Sequence, residues 1–429
     1  MKKRINRWPF ITILILASFA RTYAQRLDIY PRRCAYDYLD SIRIASNPSY
    51  LANQEFTEKR IQPYLLDNGN RLRLSAESVV TIPVVVHVIH NRKDDHIGGA
   101  DNQNISDDQI RSQIDVLNED YGNTSGYQGF YTDSLGVDTG IRFRLAGIVR
   151  KYDSRSAFNI LTADKILAAI SPPWSTNKYL NIWVCDLSSE YLGVAQSPVV
   201  SESNAATAGL PTSDQDETNA LTDGVIIGWK VFGRNSPAVT SRIYNLGRTA
   251  THEVGHWLGL IHTWGKIRCG TDYCDDTPQA ESSNSTQDIS CKPVYSFCGG
   301  FASRNMIENY MDYSPDRCMS VFTNDQKRRM QAVFAVSPRR ADLVRNSNSS
   351  YESLSVEIFP NPISEYLKFN VYTPNQAQFK VSVLNANGVY ILNGIDNQTF
   401  INVKSFGSGI YILKVNTDHE TVTKRFLVR

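Results

Sequence analysis

The chain has 429 residues, with 45 Lys and Arg against 43 Asp and Glu, and 41% of its residues are hydrophobic. This length exceeds what one compact domain usually needs, so the sequence predicts two or three folded units. The hydrophobic content excludes wholesale disorder. The balanced charge gives no indication of a nucleic-acid partner or of binding to an anionic membrane surface.

The first 24 residues have the pattern of a secretory signal peptide. A basic start at residues 2–7 precedes an apolar run at residues 10–20, and small residues follow up to Ala24, so cleavage is predicted before Gln25. The apolar run is too short to span a bilayer and no later segment is long enough, so the sequence predicts no membrane span. The pattern predicts an exported protein, in which disulfides are permissible.

The next part of the chain predicts the start of a mixed α/β domain. A charged, tyrosine-bearing segment at residues 25–78 shows no clean periodicity. The β-branched run at residues 81–89 then predicts a buried strand. Ser106 and Gln109 fit a capping box, and apolar residues at helical spacing follow as far as Tyr121, which predicts a helix.

Further extended runs continue this domain. Strands are predicted at residues 140–148, 179–185, 192–195 and 224–229. The chain turns helical from Asn245 and then enters a long Cys-, Asp- and Ser-rich stretch without periodicity, which indicates a disulfide-stapled or metal-bound region. A last helix is predicted from Thr323.

The C-terminal part has a different pattern. A Ser- and Asn-rich stretch at residues 346–353 predicts a linker. Short alternating runs follow, and Asn387-Gly388 predicts a hairpin turn between two of them. These runs predict a small β-sandwich. They lie at residues 356–359, 366–371, 379–384, 389–391, 399–403, 410–415 and 421–428.

The most informative motif is a set of three histidines. His252 and His256 are one helical turn apart, so both imidazoles project from one helix face towards a single metal ion. Gly259 lets the backbone turn sharply and bring in His262 as a third ligand. Three protein ligands leave one position open, as in catalytic rather than structural zinc sites.

Glu253 lies beside these ligands, where its carboxylate can reach water on the metal. Zinc lowers the pKa of bound water to about 7, and Glu253 is predicted to act as the general base and then to protonate the leaving amine. The motif therefore predicts zinc-dependent hydrolysis of peptide bonds. The other histidines lack ligand spacing and are interpreted as structural or solvated, namely His87, His90, His96 and His419.

The extended histidine motif is followed by Asn309-Tyr-Met311-Asp-Tyr313, and together they closely resemble the pappalysin family of metzincin zinc metallopeptidases, especially its bacterial members. Supporting matches include Leu180-Asn-Ile-Trp183 and Asp272-Tyr-Cys-Asp-Asp-Thr-Pro278. The resemblance covers about residues 79–340 and implies a metzincin fold. It also implies that Met311 forms a methionine turn, which packs below the histidines and does not bind zinc.

The resemblance implies roles in substrate turnover. Tyr313 resembles the tyrosine that stabilises the oxyanion of the tetrahedral intermediate, and the alternative is a core aromatic residue. Asp316 matches an acidic residue at the base of the family's S1′ pocket, where a carboxylate selects Arg or Lys on the leaving side. The alternative for Asp316 is a solvated turn aspartate. The edge strand that pairs with extended substrates is matched by Leu192, Gly193, Val194 and Ala195.

The stretch between the zinc helix and the methionine turn carries further implied features. The family pattern pairs Cys269 with Cys298 and Cys291 with Cys318. Cys185 and Cys274 either pair with each other or are buried thiols. Relatives bind calcium in this stretch, and hard oxygen donors of the right type are present, although clustered aspartates are often only solvated turn residues. These donors are Asp272, Asp275, Asp276 and the carbonyl of Thr277.

The remaining cysteine suggests a mechanism of latency. Cys34 ends an Arg-Arg-Cys motif, and a thiolate can occupy the open zinc position. Bacterial members of the resembled family carry a similar motif as a cysteine switch, usually followed by Gly, whereas Ala35 follows here. The alternative is an unpaired cysteine that makes no contact with zinc. A leaving-side preference for Arg would make self-cleavage before Arg71 or Arg73 the activation step.

The C-terminal module resembles the sorting domain of the type IX secretion system. The matching segments are Ile358-Phe-Pro-Asn-Pro362 and Gly409-Ile-Tyr-Ile-Leu413. The resemblance implies recognition by that machinery in a Bacteroidetes-type bacterium, followed by removal of the module and by release or attachment at the cell surface. The alternative is an Ig-like binding domain that stays attached.

The sequence thus predicts an α+β metzincin catalytic domain, with a twisted mixed sheet, helices and an irregular disulfide-braced lower subdomain, followed by a small all-β Ig-like sandwich. The predicted function is a secreted zinc endopeptidase that is made latent and cleaves proteins and peptides before Arg or Lys. The rival interpretation is a surface adhesin with a structural metal site, against which Glu253 argues. The predicted divisions are a signal peptide (1–24), a prosegment (25–78), the catalytic domain (79–345), a linker (346–353) and the sorting sandwich (354–429).

Overall fold

The computed structural model describes residues 32–46, 48–66, 79–124, 135–188, 191–198, 220–348, 354–359, 361–373, 378–418 and 420–429. The predicted signal peptide, the two arginines considered for activation cleavage and His419 lie outside these residues. Within the described ranges, no helix combines the length and the apolar character needed to cross a membrane.

A six-stranded mixed sheet forms the centre of the N-terminal part, which confirms that prediction. The strands lie in the order β1-β5-β6-β4-β2-β3, and only the β5–β6 pair is antiparallel. The β-branched strand β2 is buried at every position except Thr81, because β3 and β4 flank it. The strand bounds are β1 (Arg32–Cys34), β2 (Val80–His90), β3 (Ile141–Tyr152), β4 (Leu180–Cys185), β5 (Tyr191–Ala195) and β6 (Val225–Gly228).

Helices pack around this sheet. They are α1 (Tyr36–Ser46), α2 (Pro48–Leu66), α3 (Asp107–Tyr121), α4 (Ala163–Ile170), α5 (Arg248–Trp257), α6 (Asn324–Val336) and α7 (Pro338–Asn348). The side chain of Ser106 caps α3, and Thr323 with Gln326 forms a complete capping box at the start of α6. Buried side chains of β2, α3 and α5 belong to one hydrophobic cluster. This cluster fixes α5, which carries the first two histidines, against the sheet.

Several of these helices differ from the sequence predictions. The segment at 25–78, which shows no clean periodicity, contains α1 and α2, and α4 and α7 were not predicted. Helix α2 packs Ile61 against Ala332 and Val333 of α6, so tertiary contacts stabilise a helix that lacks a strong pattern of its own. The predicted linker is wrong at its start, because α7 runs to Asn348.

The lower part of this domain, residues 258–323, contains little regular structure. Its regular elements are the hairpin β7 (Tyr295–Cys298) and β8 (Phe301–Arg304) and a 3₁₀ turn at Asp316–Cys318. Two disulfides join Cys269 to Cys298 and Cys291 to Cys318, the same pairs that the resemblance implied. Cys185 and Cys274 are not paired with each other, and both are buried thiols.

Helix α7 is fixed to the end of α5 by one buried carboxylate. Asp223 accepts hydrogen bonds from Trp257 Nε1 (2.9 Å), Arg339 Nη1 (2.7 Å) and both terminal nitrogens of Arg340 (2.7 and 2.8 Å). The Arg340 guanidinium also lies over the Trp257 ring at 3.7 Å. Together these contacts hold α7, the last helix of the domain, against the end of α5.

The C-terminal module is an all-β sandwich, as predicted. One sheet has the order β13-β10-β9 and the other β12-β11-β14-β15. Buried side chains of both sheets, including Leu367, Val383 and Leu413, form a separate core. The strands are β9 (Ser355–Phe359), β10 (Tyr366–Tyr372), β11 (Lys380–Asn385), β12 (Tyr390–Asp396), β13 (Phe400–Asn402), β14 (Gly409–Asn416) and β15 (Thr421–Val428).

Candidate active site

Helix α5 begins at a left-handed glycine and a buried carboxylate. Gly247 precedes the first helical residue with φ 77°. Asp316 Oδ2 accepts hydrogen bonds from the backbone N–H groups of Leu246 (2.9 Å) and Arg248 (3.2 Å). A negative charge there stabilises the helix N-terminus. Asp316, the residue predicted to determine specificity, is fully buried. Its two hydrogen bonds anchor the N-terminus of the helix that carries His252.

The helix ends so that the chain returns to the same face. After Trp257 the backbone reverses at Gly259, where φ is +86°, a value that favours glycine. A Cβ atom at this position would also lie 2.6 Å from Val333 Cγ2. The reversal brings His262 back towards His252 and His256.

The three imidazoles converge through their Nε2 atoms. The Nε2–Nε2 distances are 3.2 Å for His252–His262, 3.1 Å for His252–His256 and 3.1 Å for His256–His262. Tetrahedral zinc with Zn–N bonds of 2.0–2.1 Å requires edges of about 3.3 Å. The nearly equilateral triangle therefore has about the dimensions of one face of a tetrahedral zinc site.

Each imidazole is oriented by an acceptor on its other nitrogen. His252 Nδ1 lies 2.7 Å from the carbonyl oxygen of Tyr310, and His256 Nδ1 lies 2.9 Å from that of Leu260. His262 Nδ1 lies 2.9 Å from Oδ2 of Asp37. When these Nδ1 atoms carry the proton, the Nε2 lone pairs face the centre, which is the orientation that zinc ligation requires.

Cys34 completes the set of donors. Its Sγ and a nitrogen of each histidine lie within 4.8 Å of one another, and the four residues are buried. In the part of the chain that the structure describes, this is the one group of His, Cys, Asp or Glu side chains so arranged. Burial lowers the pKa of His256 well below its usual value, so its imidazole is neutral and can donate a lone pair. Three nitrogens and one sulfur are donors that suit zinc.

Strand β1 delivers Cys34 along the edge of the sheet. It pairs in parallel with β5, with Cys34 opposite Gly193, and Ala35 N–H donates to the Gly193 carbonyl at 3.0 Å. The predicted substrate strand, Leu192 to Ala195, lies within β5. In this structure β1 therefore covers the edge at which a peptide substrate is expected to pair.

Glu253 is buried beside Cys34. Burial, and then the Glu253 carboxylate, raise the pKa of the Cys34 thiol well above its usual range. A Cβ atom at Gly193 would lie 2.8 Å from Cγ and 3.1 Å from Oε1 of Glu253. The glycine in the edge strand therefore leaves the space that the Glu253 side chain occupies.

The methionine turn lies where the motif predicts. Met311 is fully buried, and its Sδ would be only 2.5 Å from a Cβ atom on Gly255, so it packs directly under α5. The ring of Tyr313 lies 5.7 Å from that of His252 and 5.0 Å from that of His262. Burial raises the pKa of Tyr313 well above its usual value, so the phenol stays a neutral donor. Its hydroxyl donates to the carbonyl of Cys34 at 3.1 Å.

The sequence reasoning missed several aromatic and acidic neighbours of the histidines. Tyr36 stacks on His256 with ring centroids 4.1 Å apart and planes 3° from parallel, and Trp264 stacks on His262 at 4.3 Å and 9°. Asp37, described above, was also missed. Trp264 follows the motif by two residues, whereas no local pattern marks Tyr36 or Asp37 beyond their closeness to Cys34.

The N-terminal helices are anchored by a second contact far from Cys34. Glu58 of α2 forms a bidentate ion pair with Arg329 of α6, with one N–O distance of 2.7 Å. Arg329 is itself buried, and its Nε donates to the carbonyl of Gly259 at 2.7 Å. The same arginine therefore contacts both the N-terminal segment and the reversal that positions the third histidine.

The aspartates proposed as calcium ligands form a local hydrogen-bond network. Asp272 accepts from the Thr277 hydroxyl at 2.8 Å, and burial raises the pKa of Asp272 to about 7. Asp276 Oδ2 accepts from Asp325 N–H (2.9 Å), and Asp325 Oδ2 accepts from Asp275 N–H (3.1 Å). Asp276 Oδ1 is buried without a hydrogen-bond partner. These aspartates are close together, but their carboxylate oxygens do not converge on one point that a cation could occupy.

His87 lies in the core of the sheet, in agreement with its structural interpretation. Its Nδ1 lies 2.8 Å from Ser171 Oγ and its Nε2 lies 3.0 Å from Asn181 Oδ1. Burial lowers its pKa to about 4. His90 is also buried, and His96 is exposed.

Two family models match the chain. The model described as pregnancy-associated plasma protein-A, a peptidase family, matches residues 162–335, which include the three histidines and the methionine turn. The model described as a secretion system C-terminal sorting domain matches residues 357–429. The first match lies within the N-terminal folded part of the chain, and the second spans most of the C-terminal sandwich.

Curated relatives and solved structures agree with these matches. An extracellular metalloprotease of Verticillium alfalfae is 30% identical over 63% of this chain and 80% of the relative, and one of Colletotrichum graminicola is 32% identical over 62% and 80%. A promirolysin mutant of Tannerella forsythia is similar in structure, with TM-score 0.59 and 33% identity, and covers 74% of this chain and 98% of its own. Mature mirolysin of the same organism, in complex with a cleaved peptide, has TM-score 0.50 and 35% identity, over 63% and 97%.

Proposed function

The chain belongs to the pappalysin family of metallopeptidases and is a secreted zinc metalloendopeptidase, and we propose that it is made as a latent zymogen that cleaves proteins before Arg or Lys. The observation that carries the proposal is the Nε2 triangle of His252, His256 and His262, with Cys34 as fourth donor. The rival interpretation as an adhesin with a structural metal site is set aside, because the relatives are metalloproteases.

The proposed hydrolysis uses a zinc ion and the side chains of Glu253 and Tyr313. Zinc, when held by the three histidines, supplies a Lewis acid that activates water and polarises the scissile carbonyl. Glu253 is proposed to take a proton from the attacking water and to pass it to the leaving amine. Its full burial on α5 supports this role, since a carboxylate in a dry site is a stronger base than one in water.

Tyr313 is proposed to stabilise the oxyanion. Its hydroxyl already donates to a peptide carbonyl, that of Cys34, beside the histidine cluster. In the active enzyme, the same donor would face the negative oxygen of the tetrahedral intermediate, where a preorganised donor is most effective. Met311 is proposed to act only through packing under the helix.

Substrates are proposed to pair with the strand that includes Leu192, Gly193, Val194 and Ala195. Backbone groups of an edge strand recognise an extended peptide without regard to most of its side chains. Strand β1 now occupies that edge, with Ala35 bonded to the Gly193 carbonyl. The prosegment and a substrate would therefore compete for the same hydrogen bonds.

Latency is proposed to come from the prosegment at residues 25–78, through occupation of the fourth zinc position by Cys34. The Glu58–Arg329 ion pair and the packing of Ile61 on α6 would hold the segment in place. A related structure carries the name promirolysin, which is consistent with a precursor form. Activation is proposed to follow cleavage before Arg71 or Arg73.

Replacing Cys34 by Ser tests latency. Purified full-length precursor of this variant should cleave a reporter peptide and its own prosegment sooner than the parent chain does. Ser41→Ala, on an exposed face of α1, is the matched control. An unchanged lag before activity in C34S would overturn the cysteine switch, and a mature N-terminus remote from both arginines would overturn the activation site.

Asp316 is proposed to select Arg or Lys on the leaving side of the scissile bond. The support for this role is the match of Asp316 to the acidic residue at the base of the family's S1′ pocket, where a carboxylate shielded from water binds a cationic side chain strongly. Its hydrogen bonds to the start of α5 compete with this role. The position thus serves the helix as well as the proposed pocket.

A peptide library cleaved by the activated enzyme, with and without a zinc chelator, tests the whole proposal. Chelator-sensitive cuts before Arg or Lys are expected, and Asp316→Asn should reduce the preference for Arg over Ala by about 10–100-fold. This ratio is independent of the fraction of folded enzyme. Cuts without basic preference would remove the Asp316 assignment, and no cuts by folded, zinc-loaded enzyme without its prosegment would overturn the function.

Calcium is proposed to bind near Asp272, Asp275, Asp276 and the carbonyl of Thr277. The buried, unpartnered Asp276 Oδ1 supports this proposal, because a cation would satisfy it. Calcium should raise the thermal unfolding temperature of the chain, and Asp276→Asn should remove that shift. A thermal unfolding temperature that does not change on addition of calcium would exclude the site.

Secretion is proposed to proceed through an N-terminal signal peptide and the type IX machinery. The C-terminal sorting domain supports the second step. Export would be followed by removal of the module, with either release or attachment to the surface of a Bacteroidetes-type cell. Deleting residues 354–429 should retain the protein in the periplasm. Unimpaired export of the truncated chain would contradict the proposal.

A further inference from the structure

One of the three acceptors that orient the zinc ligands belongs to the prosegment. Tyr310 and Leu260, which orient His252 and His256, supply backbone carbonyls from the catalytic domain itself. The acceptor for His262 is the side chain of Asp37, at 2.9 Å from Nδ1 and 225 residues away along the chain. Loss of the prosegment therefore removes the Nδ1 acceptor of one histidine only, His262.

The residues around Asp37 hold it against that ligand. Tyr36 stacks flat on His256 at 4.1 Å, and its backbone N–H lies 3.3 Å from Cys34 Sγ. Trp264 stacks on the ring of His262, so this imidazole has little freedom to rotate. Asp37 therefore meets a ring that is already fixed in its plane, and the carboxylate selects the tautomer with the proton on Nδ1.

We infer that Asp37 is a positioning residue that strengthens zinc binding in the latent chain through His262. A carboxylate that accepts the Nδ1 proton fixes the tautomer and makes Nε2 a stronger donor, and loss of such a partner typically lowers metal affinity 10–100-fold. Activation then removes two stabilising groups together, the thiolate of Cys34 and the carboxylate of Asp37. The prosegment accordingly retains the metal as well as covering the cleft. This inference rests on the proposed zinc-bound zymogen.

The simpler alternative is that Asp37 only helps the prosegment to dock. Variants at two positions, Glu58 and Asp37, separate a docking role from an effect on the metal. Glu58 docks the same segment through Arg329, without contact with the zinc ligands. Asp37→Asn keeps an acceptor of the same shape but removes the charge, whereas Asp37→Leu removes both.

The test is zinc release from the full-length precursor into excess chelator, in a Glu253→Ala background that prevents self-cleavage. Asp37→Leu should release zinc about 10-fold faster than the parent, and Asp37→Asn should lie between them. Glu58→Gln is the docking control and should release zinc at the parental rate. Cobalt-substituted D37L should keep the cobalt–thiolate absorption of the parent, which shows that Cys34 is still bound.

Three results would overturn the inference. Parental release rates in both Asp37 variants would show that the carboxylate does not affect the metal. Equal acceleration by E58Q and D37L would show a docking role only. A parent precursor without stoichiometric zinc, or without the cobalt–thiolate absorption, would overturn the proposed latency itself, and this inference with it. D37N, which is nearly isosteric, keeps the test valid if D37L does not fold.

Discussion

The two regions that meet at the histidine cluster are held together in different ways. The upper region, residues 79–257, is a sheet with helices around one large apolar cluster. The lower region, residues 258–323, has one short hairpin, two disulfides and many buried polar side chains, among them Asp272, Asn309 and Asp312. Apolar packing dominates the first region, whereas the second combines two disulfides and many buried polar contacts with a few side chains of the same apolar cluster, such as Met311 and Phe322.

This difference matches the parts that each region contributes to the site. The upper region supplies His252, His256 and Glu253 from one helix, where spacing alone determines their geometry. The lower region supplies His262 and Tyr313 from irregular backbone, whose position depends on distant contacts. We therefore expect variants in the upper region to change proton transfer or pH-dependent stability, and variants in the lower region to change oxyanion stabilisation or the stability of the irregular backbone.

The largest expected effect belongs to the base in the upper region. Glu253→Ala should reduce kcat of the activated enzyme by about 10⁴-fold, because it removes the carboxylate that is proposed to transfer the proton. Zinc content, measured by metal analysis, should be unchanged because Glu253 is not a ligand. Substantial residual turnover with normal zinc content would contradict the assignment.

The corresponding variant in the lower region, at Tyr313, should have a smaller effect on kcat. Tyr313→Phe should lower kcat by about 10²–10³-fold, which is the usual cost of one oxyanion donor. KM should change little, since the donor acts mainly in the transition state. If kcat is instead retained and KM rises, the tyrosine binds substrate and does not stabilise the intermediate.

Removing one disulfide should affect the stability of the lower region. Replacing Cys291 and Cys318 together by Ser opens a loop with a sequence separation of 27 residues, and chain entropy predicts a loss of about 3–4 kcal/mol in the free energy of unfolding. Tryptophan fluorescence during urea unfolding measures this loss without a signal from the sorting domain, which contains no Trp. A loss below about 1 kcal/mol would show that polar contacts alone suffice there.

Acid should weaken the upper region through His87. Its pKa is about 4 in the folded protein, below the ordinary value of 6.5, so the unfolded chain binds the proton first as the pH falls. Stability is therefore lost progressively from about pH 6.5 down to about pH 4, by about 2 kcal/mol at pH 5. His87→Gln should show a smaller loss between pH 7 and pH 5 in the same urea assay. Identical pH dependence in both chains would exclude His87 as the cause.

The sequence predicts most of the upper region and the zinc ligands because their patterns are local. Strand β2 consists mainly of β-branched residues, α3 has a capping residue, and the histidine spacing follows the period of a helix. The strands of the sandwich are predicted to within a few residues for the same reason. Resemblance to a family adds the methionine turn and the disulfide pairs.

The features that were missed depend on contacts between distant parts of the chain. Asp37 is 225 residues from the histidine that it orients, and α2 is stabilised by α6. Helix α7 did have a local signal, since Pro338 follows a serine, which is a favourable helix start. No helix was predicted there, and the polar last residues of α7, 346–348, were assigned to the linker.

The position of Asp223 has a consequence for the fate of the finished enzyme. Every hydrogen bond that Asp223 receives from α7 comes from Arg339 or Arg340, near the start of the helix. Scission of the chain between residues 348 and 354 would leave all of these bonds intact. Separation of the sorting domain by such a cut would therefore leave the contacts that hold α7 against the end of α5 in place.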